Sequence, residues 1–305
     1  MNAPPFQWKF LGPQFWPTWL GLGLFRVLCM LPMAWALTLG EGLGWLLGQV
    51  IRKRRHVVRT NLKLCFPQMA DAAREELVDQ HFKAVGAGLF EAGYAWWASD
   101  EYLRRHGDVT GLEHLDAAGG HGVLLLTGHF TTLELGARYL RLFGRPFHAM
   151  YRPLNNGVVD YFMHRWREER AGLPSLPRDD LRALVRALRE GNGIWYAPDQ
   201  TLDFRHSVFV PFFGVAALTI TATSRLARLG RAKVVPFFPS REGRRYKVTV
   251  LPALENFPGA DETVDAQRIN AVIEQGVALA PSQYFWIHRR FKWRPKGEAD
   301  VYDGA

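Results

Sequence analysis

Four apolar residues, Val123 to Leu126, end in Thr127-Gly128, and His129 follows at once. Leu133, Ala137, Leu140 and Leu142 then recur at roughly helical spacing, which predicts a helix from about Thr131. A short run bounded by Gly122 and Gly128 with no polar alternation reads as a strand buried on both faces. Such a strand needs a layer of helices on each side. The stretch therefore commits the chain to an α/β architecture. It also puts His129 between a strand's C-terminal end and a helix N-terminus, where open α/β sheets hold their ligands.

The rest of the chain extends this pattern. Asp71 to Trp97 reads as a long helix with Leu77, His81, Val85, Leu89 and Ala92 along one face. Its aromatic end, Phe90, Tyr94, Trp96 and Trp97, either packs the core or floors an apolar pocket. Phe147 to Tyr151 predicts a strand, and Asn155 to Arg170 a helix. Asp179 to Glu190 gives the clearest helix: Leu181, Leu184, Val185 and Leu188 form its stripe, with Arg182, Arg186 and Arg189 opposite and Gly191 as its stop. Gly193 to Ala197 is a second buried strand followed directly by Asp199. If the strands run parallel, Asp199 lies on the same sheet edge as His129; the alternative is a turn-forming aspartate after Pro198. Thr219 to Leu229 reads as a helix ending at Gly230, Lys233 to Pro239 and Tyr246 to Leu251 as strands, and Val264 to Leu279 as a closing helix. The expected fold class is a mixed, largely parallel central sheet flanked by helices.

His129 and Glu134 stand five residues apart. Within one helix they would point about 140° away from each other, so they meet only if His129 precedes the helix and Glu134 lies in its first turn. A carboxylate on one imidazole nitrogen fixes the tautomer and leaves the other as a base. With no G-x-S-x-G nucleophile elbow in the chain, the client of that base is a substrate hydroxyl or amine. Thr131 to Glu134 equally fits a capping box, in which Glu134 folds back on the backbone.

The N-terminal part has a different character. Trp19 to Val50 is mostly apolar, but Arg26 and Glu41 interrupt it. The uncharged run Val27 to Gly40 is shorter than the roughly 20 residues a spanning helix needs. Snorkelling of Arg26 extends it toward a span, and Trp16, Trp19, Trp35 and Trp45 suit a membrane interface. A segment lying in the interface, a cleaved signal and a buried helix are the competing readings. Residues 1–18 are thus an N-terminal segment, 19–50 an expected membrane-anchoring helix, and 51–305 the catalytic domain. The basic run Arg52 to Arg59 is expected to stay cytoplasmic against anionic lipid. A net charge of +9 calls for an acidic partner, and 11 Trp with 20 Phe favour membrane contact over nucleic acid. The basic stretch Arg289 to Lys296 then reads as headgroup or phosphate contact. Cys29 and Cys65 form no disulfide framework or metal motif.

Five blocks, taken together, resemble the bacterial lipid A biosynthesis acyltransferases: Gly128 to Gly136 with its His-x4-Glu, Tyr151-Arg152-Pro153, Trp195 to Gln200, Val208 to Gly214, and Gln283 to Lys292. They come in the family's order and cover nearly the whole chain. The segment Thr201 to His206 departs from the family by lacking a glycine. The resemblance implies a glycerolipid-acyltransferase-like fold at the bacterial inner membrane, with the catalytic domain on the cytoplasmic side. It implies an acyl group delivered on acyl carrier protein to a hydroxyl of a lipid A precursor, without a metal or other cofactor. His129 would be the general base, oriented by Glu134. Arg178, Asp199 and Arg152 would support substrate or oxyanion, although Arg178 also reads as a solvated charge. Another lipid acceptor, an acyl-CoA donor and a non-enzymatic basic membrane scaffold are the alternatives.

Overall fold

The computed structural model describes residues 6–200 and 204–303; the part of the glycine-free segment at 201–203 lies outside them. The chain begins with α1 (Trp16–Leu28), α2 (Met33–Val50), α3 (Arg52–Cys65), α4 (Asp71–Trp97) and α5 (Asp100–His106). It continues through β1 (Gly107–Thr110), α6 (Glu113–Asp116), β2 (Val123–Leu126), α7 (Leu133–Phe143), β3 (Phe147–Tyr151), α8 (Gly157–Ala171) and β4 (Leu176–Pro177). Then come α9 (Leu181–Arg189), β5 (Gly193–Tyr196), β6 (Ser207–Phe212), β7 (Val215–Ile220), α10 (Ala222–Gly230), β8 (Lys233–Glu242), β9 (Arg245–Val250) and α11 (Glu262–Leu279).

Seven strands form one sheet in the order β1-β9-β8-β2-β5-β3-β4. Every neighbouring pair is parallel except β8 with β9. β2 lies near its centre with all four residues buried, as its unbroken apolar run requires. The sheet separates two cores. Leu124, Leu126, Leu188, Leu226 and Ile273 pack on one face, beneath α9, α10 and α11. Leu125, Leu135, Tyr139, Phe90 and Phe237 pack on the other, beneath α4 and α7. Each fully buried side chain of this kind contributes about 1.5–3 kcal/mol. From β2 the chain crosses toward β3 through α7 on one face; from β5 it returns toward β8 through α10 on the other. This reversal opens a crevice at the C-terminal ends of β2 and β5.

Three expectations need correction. Residues 19–50 are not one helix: α1 stops at Leu28 and α2 begins after Pro32, which lacks an N–H to donate and pushes Leu31 out of helical geometry. Among the described residues no helix is long and apolar enough to cross a membrane. The expected spanning helix is thus replaced by two shorter ones that expose Trp16, Leu20, Leu24, Trp35, Leu43 and Leu46. α2 lies against α4 through Gly40, Gly44 and Gly48, one above another, and a Cβ on the facing Gly86 would run into the backbone of Gly40 and Gly44. Second, α4 does not bury a single stripe. Leu77 and His81 are inside but Leu89 is exposed, whereas Phe82, Phe90, Glu91 and Tyr94, off the expected stripe, are buried as well. Third, Thr219 and Ile220 belong to β7, which forms a hairpin with β6 that periodicity did not reveal.

Candidate active site

β2 and β5 pair in parallel with Leu126 beside Tyr196, so the loops after them leave the same edge of the sheet. Thr127 N–H donates to the Tyr196 carbonyl at 2.9 Å and carries the ladder one step further. His129 and Asp199 each follow shortly after, and they meet. Asp199 Oδ1 accepts from His129 Nδ1 at 2.5 Å, and Oδ2 accepts from the His129 backbone N–H at 2.9 Å. An ionised carboxylate can only accept, so Nδ1 carries the proton and Nε2 keeps its lone pair for a substrate. Asp199 is 2% exposed and the His129 side chain 31%: the gripping end is hidden and the ring reaches the open crevice. A second strap holds the loop. Phe285 N–H donates to the His129 carbonyl at 2.9 Å, and Thr131 N–H to the Gln283 carbonyl at 2.7 Å.

The pair's electrostatics follow from this contact. Burial alone would push the His129 imidazolium toward losing its proton. The charge of Asp199 and its hydrogen bond outweigh burial and hold His129 above its ordinary value, with Arg167 opposing them. Burial likewise penalises the Asp199 carboxylate, but His129 overrides it and brings Asp199 down to about 2, helped by Arg290. Asp199 is therefore ionised across the working pH range.

Glu134 is placed differently from its expected role as the orienter of His129. Its carboxylate accepts from the Arg167 guanidinium, with Nε at 3.0 Å, and from Trp96 Nε1 at 3.5 Å. No hydrogen bond joins it to His129 among the described residues. α7 begins at Leu133, and Glu134 in its first turn faces α8, where Arg167 meets it. The capping-box alternative fails too: the cap position, Thr132, makes no side-chain capping bond.

His129, Arg152 and Arg178 do share one crevice, which Met150, Trp195 and Gln200 also line. Arg152 and Arg178 stand exposed at its rim. Met150 and Trp195 also line a second, largely apolar cavity, so they separate the two spaces. Its wall includes Ala137, Ala149, Trp166, Ala171 and Trp96, the last from the aromatic end of α4, and the Glu134–Arg167 pair. Phe90 and Tyr94 are core residues instead. The indole N–H of Trp195 is buried without a hydrogen-bond partner among the described residues. Among those residues no group of three or more His, Cys, Asp or Glu side chains is arranged to hold a metal ion.

Two contributors escaped sequence reasoning. Arg167 was one arginine among several on a predicted helix, and only the approach of α8 to α7 distinguishes it. Trp195 lay in a strand whose inward face the pattern left open. The basic stretch Arg289 to Lys296 is also less available than expected. Arg290 is buried and donates to Leu218 O at 2.7 Å and Thr219 Oγ1 at 3.0 Å, while Arg294 donates to Ala216 O at 2.7 Å.

The comparisons with known proteins agree with one another. Residues 3–293 match the model of the bacterial lipid A biosynthesis acyltransferase family. The lipid A biosynthesis lauroyltransferase of Escherichia coli strain K12 is 40% identical, with 99% of each chain covered. The palmitoleoyltransferase of that strain is 37% identical over 97% of this chain and 98% of its own. Its myristoyltransferase is 29% identical over 98% and 94%. Among solved structures, the 1-acyl-sn-glycerophosphate acyltransferase PlsC of Thermotoga maritima matches at a TM-score of 0.40 and 12% identity, covering 75% of this chain and 97% of that one, too distant to carry weight here. With nearly its whole length matched by the family model and by relatives of this kind, the chain belongs to the bacterial lipid A biosynthesis acyltransferases.

Proposed function

We propose that the protein transfers a fatty acyl group from a thioester on acyl carrier protein to a hydroxyl on an acyl chain of a lipid A precursor, at the cytoplasmic side of the bacterial inner membrane. The observation that carries this reading is His129, held at Nδ1 by a buried carboxylate and open to a crevice beside an apolar cavity. Nε2 removes the hydroxyl proton as the oxygen attacks the thioester carbonyl. A C–O bond forms, the carbonyl electrons move onto oxygen, and the C–S bond then breaks. The departing thiolate takes the proton from Nε2, so the imidazole ends as it began. Asp199 takes the orienting role first given to Glu134, and it stabilises the transient imidazolium.

The remaining groups serve positioning and charge. Glu134 and Arg167 pair in the wall of the neighbouring cavity and tie α7 to α8 behind His129. Arg152 and Arg178 at the rim receive the precursor's phosphates. The hydrocarbon of the donor lies in the crevice along Trp195 and Met150, the residues that border the small apolar cavity. The exposed apolar side chains of α1 and α2 set the enzyme on the bilayer surface from which the precursor comes.

The test is direct. Purified protein is incubated with lipid A precursor and acyl carrier protein charged with a labelled chain, and the lipid is examined by mass spectrometry. Gain of one acyl chain on the precursor is expected. Transfer only to other lipids, or only from acyl-coenzyme A, overturns the acceptor or the donor respectively.

A further inference from the structure

Outside the crevice, the outer side of α9 and α10 is a strongly basic surface. Arg182, Arg186 and Arg189 project from α9, Arg225 and Arg228 from α10, and all are exposed. The carboxylates nearest in the fold are fewer: Asp179, Glu190 and Glu262, of which Glu262 lies 3.8 Å from Arg228. Asp180 is occupied as the cap of α9. Part of the positive charge is anchored to backbone, Arg189 to Leu229 O at 2.9 Å and Arg228 to Gly259 O at 2.7 Å. Arg182, Arg186 and Arg225 extend into solvent. Leu181 and Leu229 are exposed among them, giving the apolar centre and charged rim of a protein-binding patch.

Two features of the fold say what this patch faces. Its depressions run into the His129 crevice, because Leu181, Ala222 and Leu226 line both. It also belongs to the helix layer opposite α1 and α2: α9 and α10 cover one face of the sheet, whereas the helices with the exposed apolar side chains pack on the core of the other. A surface apart from the apolar helices, contiguous with the reacting centre and rich in solvated arginine, suits a soluble acidic protein better than lipid headgroups.

We propose that the α9–α10 arginine face docks an acidic carrier protein, which then feeds its acyl thioester on a flexible arm along Leu181 and Leu226 to His129. The proposal rests on the carrier-borne donor inferred above. It is tested with the charge-reversed triple variant R182E/R186E/R225E, assayed with lipid A precursor and either acyl carrier protein thioester or the neutral, carrier-free acyl-pantetheine of the same chain. With the carrier thioester, kcat/KM is expected to fall about tenfold or more through KM, and its dependence on salt to flatten. With acyl-pantetheine it is expected to stay within about twofold, which also shows that the variant folds. Equal rates with the carrier thioester for variant and wild type overturn the docking site, as does an equal loss with both donors. A rise confined to the precursor's KM overturns it in favour of lipid phosphate binding. Failure of the wild type itself to use the carrier thioester, with turnover of acyl-pantetheine intact, overturns instead the donor reading on which the proposal stands.

Discussion

The proton on His129 Nδ1 is shared with a buried carboxylate that also grips the backbone of the same residue, so neither the ring nor its loop can turn away. For a base this sets the pH at which it works. His129 lies above the ordinary value of 6.5, so its neutral fraction, and with it kcat/KM, should rise along an acid limb centred above pH 6.5. In Asp199→Asn the charge that raises His129 is gone while the burial that lowers it remains. The limb should move below pH 6.5, and the plateau should fall on the order of 10³-fold as the ring loses its tautomer and its counter-charge. A pH profile of the two proteins checks both; an unmoved limb would remove Asp199 from the dyad. His129 was legible in the sequence because Thr-Gly-His after a buried run locates the sheet edge. Its partner was misassigned because a five-residue spacing carries no information about which of two nearby carboxylates the ring faces. That is fixed by β2 and β5 pairing in parallel, a contact between residues 70 positions apart.

Among the elements, β2, β3 and α4 run over the residues that pattern and flanking glycines indicated. What periodicity missed has a common cause. α4 is covered on several sides, so it shows no single apolar stripe, and the glycines of α2 carry no side chain for a pattern to register. Those glycines nevertheless decide how close α2 can come to α4. Gly86→Ala should destabilise the protein by about 3 kcal/mol in denaturant unfolding, since its Cβ meets backbone that cannot step aside. Gly42→Ala on the same helix pair is the control: its Cβ meets nothing within 4 Å, and it should be neutral or stabilising by up to about 1 kcal/mol. Equal effects at the two positions would contradict the close packing. The basic run on α3 was read as a lipid contact, but Arg55 and Arg59 pair with Glu75, and Arg55 also with Asp79, on α4. The pairing needs α3 and α4 to fold back on each other, which a local reading does not supply; Arg52, Lys53 and Arg54 of the run stay exposed.

Across the whole molecule, the sheet sets two unlike surfaces on opposite layers, apolar α1 and α2 on one and arginine-rich α9 and α10 on the other, with the His129 crevice at the C-terminal ends of β2 and β5. The apolar surface should bind vesicles of anionic phospholipid. Leu43 and Leu46 are about half exposed, so Leu43→Glu with Leu46→Glu should cost roughly 2 kcal/mol, a loss of about thirtyfold in vesicle affinity, without a change in unfolding midpoint. Undiminished co-sedimentation would assign membrane contact elsewhere. Composition indicated both the apolar and the basic character of the chain but not their segregation, which only the crossover connections produce. Everything rests on the imidazole as the base for acyl transfer. The most direct measurement is the single-turnover rate of acyl transfer to lipid A precursor by His129→Ala beside wild type, under saturating donor. A fall on the order of 10²-fold or more, with folding and donor binding intact, is the result expected. A rate within a few fold of wild type would contradict the account.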